Sequence, residues 1–303
     1  MDSRFMSWIP IEKGWSEDRK YRVTTPNDTV YLLRISPLDR YERQKQWFSL
    51  MQQVAALPIP ICRPVEFGTC AEGVYTLHTW IEGSDALEVI PHLSNAEQYA
   101  LGVESGRILR AIHTVPAPVD QEDWHTRFDR KVSFKIRQYR DCPVRFSGDD
   151  QVIAYIEDHR HLLYGRPQCF QHGDYHIGNM MMENGKLVII DFDRFDFGDP
   201  WEEFNRIVWS AQASPSFAAG QLDGYFGGTP PLAFFERLAL YIASNTLSSI
   251  YWGTSLGTSD LDVMMKQAQD VLEWYDGMRQ PIPSWYRQAH GAGEGSLSRT
   301  DMD

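Results

Sequence analysis

The sequence predicts an α+β fold in two lobes: a small antiparallel β-sheet with one main helix, then a larger and mostly helical lobe. Three observations predict it. Short β-prone runs dominate the first eighty or so residues, apolar residues recur with helical spacing after residue 83, and one short β segment interrupts the later helices. The expected lobes are residues 1–82 and 83–289, and the Gly/Ser-rich tail 290–303 is expected to be disordered.

The first lobe is predicted to be a small sheet with a single helix. Its first two β-prone runs flank Pro26-Asn27-Asp28, a turn signal, and so predict a hairpin. The helical run ends before two prolines, which cannot continue a helix. In chain order, the predicted elements are strands at 20–24 and 29–35, a helix at 38–56, and strands at 65–67 and 73–81.

The second lobe is predicted to be mainly helical. Ser94 and Glu97 have the spacing of a capping box, in which each side chain caps the other residue's backbone N–H. The apolar residues that follow share one face, so a helix is predicted up to His113. Further helices are predicted at 149–163, 232–253 and 259–278.

The charge of the chain favours some partners and disfavours others. Forty-one acidic residues against 29 basic ones give a net charge of −12, and most of the excess follows residue 190. This charge would repel a nucleic acid, so no such partner is expected and a cationic ligand is favoured. A basic leader and an apolar run of about 18 residues are both missing from the sequence. We therefore expect a cytoplasmic protein without a membrane partner, as a monomer or weak dimer.

Residues 170–202 carry the strongest chemical signal. Asn184-Gly185 is a two-residue hairpin signal, and the hairpin it predicts brings Asn179 and Asp191 side by side. An amide oxygen and a carboxylate are ligands of the kind that hold Mg²⁺ together with substrate phosphates. Asp174 precedes Asn179 by five residues, so its carboxylate is expected to face a substrate hydroxyl beside that metal.

This segment resembles the aminoglycoside phosphotransferase and choline kinase family, whose members are relatives of protein kinases. The resemblance is strong over residues 170–205 and weaker but collinear over about 8–280. The segments that carry it are His172-Gly173-Asp174, Asn179, Ile190-Asp191-Phe192-Asp193 and Gly198-Asp199-Pro200. It implies a bilobal protein-kinase-like fold, with Asp174 accepting or orienting the proton of the acceptor hydroxyl. Asn179 and Asp191 would hold Mg²⁺ on the phosphates of ATP or GTP.

Several residues near these motifs have alternative explanations. Hydrogen bonds that support the loop are favoured over a direct catalytic role for His172 and His176. Asp193 fits either a second metal ligand or a hydrogen-bonded supporting group, with the latter slightly favoured. Asp199 fits the N-cap of a helix that begins at Pro200.

The nucleotide half is marked less clearly. A loop with one glycine, Lys13 to Asp18, puts Ser16 in a position to cap the phosphates. Arg34 stands where kinases place a lysine, and Glu42 follows in position to pair with it; the alternative is a surface arginine and a solvated glutamate.

The connection between the lobes is predicted at Thr79, Trp80 and Ile81. The resemblance implies that backbone N–H and C=O groups there bind the adenine edge, and the alternative is an ordinary strand end followed by a turn. A run of basic residues at 127–140 is predicted to be a solvated helix face.

The leading hypothesis is a small-molecule kinase that transfers the γ-phosphoryl group to a hydroxyl of an aminoglycoside-type or other cationic acceptor. Antibiotic resistance would then be one possible role. The acidic residues expected to favour cations are Asp196, Glu202, Glu203, Asp223, Asp270, Glu273 and Asp276. The alternatives are a kinase of choline-like or other metabolites and a nucleotide-binding pseudoenzyme. An aromatic box for the choline-like acceptor would come from Tyr251, Trp252, Trp274 and Tyr275, which equally fit a helical core. A protein kinase is disfavoured because no A-P-E segment follows Asp191.

Overall fold

A computed structural model describes residues 4–12, 18–255 and 258–291. The chain folds as predicted into an antiparallel five-stranded sheet, in the order β1-β2-β3-β5-β4, and a mostly helical region. The strands are β1 (Ser7–Ile11), β2 (Arg19–Thr24), β3 (Val30–Ser36), β4 (Pro64–Cys70), β5 (Gly73–Thr79), β6 (Ser84–Asp85), β7 (Cys169–Gln171), β8 (Met180–Glu183), β9 (Lys186–Ile189) and β10 (Asp196–Gly198).

The helices of the second region pack around one large apolar core that also takes in the first lobe's helix. The helices are α1 (Tyr41–Ala55), α2 (Ala86–Val89), α3 (Asn95–Ile112), α4 (Trp124–Asp141), α5 (Asp149–His159), α6 (Ile207–Ala213), α7 (Pro215–Phe226), α8 (Leu232–Gly253), α9 (Thr258–Trp274) and α10 (Ser284–Gly291). The division into lobes at residues 82 and 83 stays a prediction.

The predicted elements of the first lobe are present, with small differences. The hairpin of β2 and β3 is confirmed, and β1, which the sequence did not predict, adds an edge strand to β2. The small core beneath the sheet consists of Val23, Leu33, Ile35 and Leu77. The helix α1 buries Trp47, Met51 and Val54, which attach it to the larger core. The apolar face of α1 therefore packs the first lobe against the core of the second.

The second lobe confirms the predicted capping box. The Ser94 backbone N–H donates to the Glu97 carboxylate at 2.9 Å, and the Glu97 N–H donates to the Ser94 hydroxyl oxygen at 3.3 Å. The helix α9 ends at Trp274, four residues before its predicted end at 278. Asp276, Gly277 and Met278 all have positive φ, which an α-helix cannot accommodate.

The tightest helix contact in the second lobe joins α3 and α7. Glycines four residues apart face each other, Gly102 and Gly106 on α3 and Gly220 and Gly224 on α7. A Cβ added at Gly106 would overlap the carbonyl oxygen of Gln221 on α7. The two backbones therefore approach closer than any other residue at these positions would allow.

The β8–β9 hairpin lies at the junction between the lobes. Asn184 and Gly185 have φ of 52° and 77°, the left-handed pair that a two-residue hairpin turn needs, so the predicted turn is confirmed. The Cys62 N–H donates to the carbonyl of Ile189 at 3.1 Å, which links the hairpin to the first lobe. Residues at the open end of this hairpin therefore lie next to the first lobe.

Residues 290 and 291 of the predicted tail belong to α10, where His290 contacts the Asp223 carboxylate at 2.7 Å, so the disordered tail does not begin at 290. Residues 292–303 lie outside the described residues. None of the helices described combines the length and the apolar character needed to span a bilayer.

Candidate functional site

The loop between β7 and β8 is held by His172. Its Nδ1 accepts a hydrogen bond from the backbone N–H of Asp174 at 3.2 Å, so Nε2 carries the proton and donates to the Ile190 carbonyl at 2.9 Å. The imidazole is fully buried. His172 thus joins the loop to the strand end before Asp191, which agrees with its predicted supporting role.

A second support, Glu203, was not predicted. Its Oε1 accepts the backbone N–H of Gly173 at 2.9 Å, and the residue is almost fully buried. Gly173 has a φ of 85°, and a Cβ there would overlap the carbonyl oxygen of Arg194. The loop geometry therefore requires glycine before Asp174. Glu203 follows the predicted helix start at Pro200, and nothing local signalled its contact with a loop thirty residues away.

Asp174 lies at the centre of a group of basic side chains. Its Oδ1 is 3.3 Å from Nε of Arg206 and 3.7 Å from Nε2 of His176, and its Oδ2 is 3.9 Å from Nε of Arg194. Burial opposes ionisation, but His176, Arg206 and Arg194 together hold the pKa of Asp174 well below its usual range. The carboxylate is therefore ionised at neutral pH, as a group that accepts or orients a hydroxyl proton must be.

Asn179 and Asp191 are brought together as predicted. The carbonyl of Asn179 accepts the N–H of Ile190 at 3.1 Å, so Asp191 follows directly across the open end of the hairpin. The amide nitrogen of Asn179 donates to the carbonyl of Asp174 at 2.8 Å, which turns the amide oxygen away from the loop. Asp191 has a φ of 65° and a side chain that is 44% exposed. The site therefore presents one amide oxygen and one accessible carboxylate.

This donor set fits Mg²⁺ bound jointly with phosphates. No group of three or more His, Cys, Asp or Glu side chains within residues 4–12, 18–255 and 258–291 is placed to hold a metal alone. Mg²⁺ commonly takes only one or two protein oxygens and completes its six ligands with phosphate and water. Asn179 and Asp191 would supply those two.

Arg34 lies beside this pair, on β3. It donates two hydrogen bonds to the carboxylate of Asp193, one of 2.8 Å, a third to Asp18 at 3.0 Å, and lies 3.7 Å from Asp191. Burial disfavours its charge, but these carboxylates outweigh that effect and raise the pKa of Arg34. Arg34 thus joins the first lobe to the segment that follows Asp191, and Asp193 takes the supporting role that the sequence favoured.

The expected pairing of Arg34 with Glu42 is wrong. Glu42 is exposed in the first turn of α1, and the carboxylates that pair with Arg34 among the described residues are Asp18, Asp191 and Asp193. The inward face of α1 instead carries Trp47, whose indole N–H donates to the carbonyl of Phe192 at 3.2 Å. Glu42 lies in the first turn of α1, on a different face of the helix from Trp47.

The connection between the lobes offers fewer free backbone groups than expected. The N–H of Thr79 donates to the Arg63 carbonyl at 2.9 Å, and its carbonyl accepts from the thiol of Cys62 at 3.2 Å, so Thr79 is already engaged. Within the described part of the chain, the backbone N–H and C=O groups of Trp80 and Ile81 make no hydrogen bond. These two residues remain the predicted adenine contacts. Ser16, the predicted phosphate cap, lies outside the described residues.

Asp199 has a larger structural role than the predicted cap. Its Oδ1 accepts the N–H of Trp201 at 3.0 Å, as a cap would, but a short 3-10 turn rather than an α-helix follows. The carboxylate is fully buried in a bidentate pair with Arg166, at 2.7 and 2.9 Å, and accepts the Tyr241 hydroxyl at 2.6 Å. Asp199 is therefore a buried anchor between the segment after Arg194 and α8.

The acidic residues expected to attract a cation are mostly engaged by the protein itself. Glu202 accepts from Gln171 at 3.1 Å and Glu203 from Gly173, and both residues are buried. Asp196 pairs with Arg127, Asp223 with His290 and two tyrosines, Asp270 with Lys266, and Asp276 with Arg279. Six of these seven described residues are therefore already engaged within the protein and leave little free carboxylate to attract a cation.

The aromatic residues of the choline-like alternative do not form a box. Tyr275 is fully buried in the core, whereas Tyr251 and Trp252 are 40% and 37% exposed. The guanidinium of Arg194 lies 5.9 Å from the centroid of the Trp252 ring. A cation of the protein thus already faces the ring of Trp252.

Comparison with known proteins identifies the family. The model of a family described as the phosphotransferase enzyme family matches residues 7–235. No curated protein matched the chain.

Solved structures share the fold at low sequence identity. A choline/ethanolamine kinase family protein from Mesorhizobium loti is 15% identical, with 94% of both chains covered and a TM-score of 0.68. A thermostable mutant of aminoglycoside phosphotransferase APH(4)-Ia, in a ternary complex with ADP and hygromycin B, is 15% identical, with 88% of this chain and 94% of that chain covered and a TM-score of 0.64. The GDP complex of a mutant aminoglycoside 2'-phosphotransferase-IIIa is 13% identical, with 91% and 95% covered and a TM-score of 0.68. The protein-kinase-like fold is thereby confirmed.

Proposed function

This chain belongs to the phosphotransferase enzyme family, and we propose that it transfers the γ-phosphoryl group of ATP or GTP to a hydroxyl group of a small molecule. The observation that carries the proposal is the convergence of Asp174, Asn179 and Asp191 at the open end of one hairpin, with the basic side chains of Arg34 and Arg206 on either side. These groups suit a reaction that depends on positioning and charge neutralisation more than on covalent chemistry.

Each residue has a distinct part in this proposal. Asn179 and Asp191 would hold Mg²⁺, which would neutralise negative charge on the nucleotide phosphates. Arg34 contacts a phosphate by exchanging part of its bond to Asp193 for one to the nucleotide. The backbone of Trp80 and Ile81 faces the base. Asp174 orients the acceptor hydroxyl, whose oxygen must approach the γ-phosphorus in line with the leaving oxygen.

The transfer step balances without any further reactant. The acceptor oxygen forms a bond to the γ-phosphorus while the bond from that phosphorus to the β,γ-bridging oxygen breaks. The bridging oxygen leaves with the bond's electron pair as part of the nucleoside diphosphate. The hydroxyl proton passes to the Asp174 carboxylate and from there to solvent. A weakly basic carboxylate is sufficient because the alcohol loses its proton late in a loose transition state.

The test compares Asp174→Asn with a matched control, Asp158→Asn, which changes an exposed aspartate at the end of α5. Nucleotide consumption is measured with Mg²⁺, ATP or GTP and a panel of hydroxylated small molecules. We expect Asp174→Asn to lower kcat by about 100-fold or more while the variant stays folded at the assay temperature, and the control to match the wild type. Full activity of Asp174→Asn would reject the assignment.

Two alternatives are decided by the same assays. Hygromycin B accompanies ADP in the APH(4)-Ia complex, which supports an aminoglycoside-type acceptor, and phosphorylation of aminoglycosides would also support a role in antibiotic resistance. The engagement of Arg34 by three carboxylates favours a nucleotide-binding pseudoenzyme as the second candidate. Calorimetric binding of a nonhydrolysable nucleotide with no turnover of any acceptor would support that candidate.

A further inference from the structure

Two lysines of α4 face the candidate site, although the sequence predicted that the basic run 127–140 is a solvated face. Lys131 and Lys135 are one helical turn apart and so lie on the same side of α4. The ammonium of Lys131 is 3.5 Å from the Glu202 carboxylate, and that of Lys135 is 3.5 Å from the hydroxyl of Ser244 on α8. Only the outward members of the run, such as Arg137, are exposed as predicted.

These lysines extend the basic group around Asp174. Glu202 and Arg206 begin and end the same short 3-10 turn, and Arg206 lies against Asp174. The charges of Lys131 and Arg206 both act on Lys135, and with burial, the largest effect, they outweigh Glu202 and lower the pKa of Lys135 to about 7. Lys135 makes no ion pair within the described part of the chain.

The charges of this group do not balance. Four cationic side chains, Lys131, Lys135, Arg194 and Arg206, face three carboxylates, those of Asp174, Glu202 and Glu203. The charge of Glu203 acts on Arg206, but its carboxylate also accepts the N–H of Gly173 and lies 3.7 Å from Nε2 of His113. Like charges gathered in a partly buried site disfavour one another, so an excess of positive charge is stable only at a cost that an anion would remove.

The group is also within reach of a ligand. The side chains of Lys131 and Arg206 are 40% and 22% exposed, and that of Asp174 is 20% exposed. A molecule whose hydroxyl contacts Asp174 therefore has a guanidinium beside it and two ammonium groups further along the same surface. A polycationic acceptor would meet charges of its own sign there.

We propose that the acceptor is an anion: a hydroxyl compound whose carboxylate or phosphate group binds Lys131, Lys135 and Arg206 while its hydroxyl faces Asp174. The proposal rests on the function proposed above, because it assigns the acceptor class of the same site. Charge-assisted hydrogen bonds from arginine and lysine recognise carboxylate and phosphate alike, so the chemistry of the anion is left to the test.

The experiment measures binding by calorimetry to the full chain with Mg²⁺ and a nonhydrolysable nucleotide, using four sugars of matched size. These are glucuronate, glucose 6-phosphate, glucose and glucosamine, with gentamicin as a polycation. We expect at least one anion to bind about tenfold or more tighter than glucose, and glucosamine and gentamicin to bind no tighter than glucose. The tighter of the two anions identifies carboxylate or phosphate as the recognised group.

Variants assign the preference to these lysines. We expect Lys135→Met and Lys131→Met each to reduce the preference for the anion by about tenfold, whereas glucose binding is unchanged. The matched control is Arg137→Met on the same helix. Arg137 follows Lys135 by two residues, so its side chain projects about 200° away from that of Lys135, and the variant should bind anion and glucose as the wild type does. Equal binding of anion and glucose, tighter binding of a cation, or a preference that survives both lysine variants would overturn the proposal.

A parallel assay separates this proposal from the function on which it rests. Hydrolysis of ATP or GTP without acceptor is measured with Mg²⁺ for the wild type and the control Arg137→Met, and equal rates are expected. Turnover with a preference for cationic acceptors would reject the anionic acceptor and leave the phosphotransferase in place. Anion binding without nucleotide binding or turnover would reject the phosphotransferase instead.

Discussion

Arg34 is the residue through which the first lobe contacts the candidate metal site, and replacing it with methionine should weaken both folding and nucleotide binding. Methionine keeps an apolar stem similar to that of arginine but removes the guanidinium and its charge. The change leaves Asp18, Asp191 and Asp193 without the guanidinium that they share. These carboxylates differ in how well water can replace it.

The magnitude follows from their exposure. The side chain of Asp18 is only 4% exposed, whereas those of Asp193 and Asp191 are 31% and 44% exposed and can be solvated. Breaking a buried ion pair typically costs about 3 to 5 kcal/mol. Asp18 retains the hydroxyl of Ser36 at 2.7 Å and Arg40 at 3.8 Å, so we expect a loss near the lower end, about 3 kcal/mol.

The assay is urea unfolding followed by tryptophan fluorescence, with calorimetric titration of Mg²⁺ and nucleotide. We expect Arg34→Met to lower the unfolding free energy by that amount and nucleotide affinity by about tenfold or more. Arg34→Lys should recover part of both, since a point charge cannot form the bidentate bond. Adding Asp193→Asn to Arg34→Met should restore some stability, because it removes an unpaired charge. Wild-type stability and affinity in Arg34→Met would refute the reasoning.

Two further predictions concern stability. Gly106→Ala should destabilise the protein by about 1 to 3 kcal/mol in urea unfolding, because the added Cβ would overlap the backbone carbonyl of Gln221 and lie 2.5 Å from the backbone nitrogen of Tyr225. Gly253→Ala is the control and should change stability less, since the atoms nearest to its added Cβ are 3.3 to 3.5 Å away. An equal loss of stability in the two variants would contradict the packing argument. Because the pKa of Asp174 is lower in the folded than in the unfolded chain, its ion pairs stabilise the fold above about pH 4 and this contribution is lost as the pH falls. The gap in unfolding free energy between the wild type and Asp174→Asn should therefore narrow below about pH 4, and a gap independent of pH would count against the ion pairs.

The sequence predicted what short-range rules determine. The hairpin turn at Asn184-Gly185 fixes its own register, so the proximity of Asn179 and Asp191 followed from their distance along the chain. The Ser94 capping box depends on residues three apart and was confirmed for the same reason. The spacing of five residues between Asp174 and Asn179 was also part of the resemblance that predicted the family, which the family model confirms.

The features that the sequence did not predict depend on distant partners. Glu203 supports Gly173 and Arg34 pairs with Asp193, and these contacts join segments that only the folded chain brings together. The lysines of α4 were assigned to solvent because a basic run gives no indication of which members face inward. Helical periodicity separates Lys131 from Arg137, but it does not say that α8 and Glu202 cover the side of Lys131.

The whole chain is acidic, whereas the group of side chains around Asp174 is basic. Pairing of the acidic residues within the protein explains the difference. A net charge of −12 describes all residues equally, but carboxylates such as Asp223 and Asp199 are neutralised where they stand and exert little field in the cleft. On the nucleotide side, Arg34 lies among three carboxylates, so the protein groups there carry an excess of negative charge. A bound divalent cation would offset that excess and the charge of the triphosphate. On the acceptor side, the basic residues around Asp174 outnumber the carboxylates that face them in the described part of the chain. Transfer brings further negative charge to that side in the phosphoryl group, so the same cations that would bind an anionic acceptor would also stabilise its phosphorylated product.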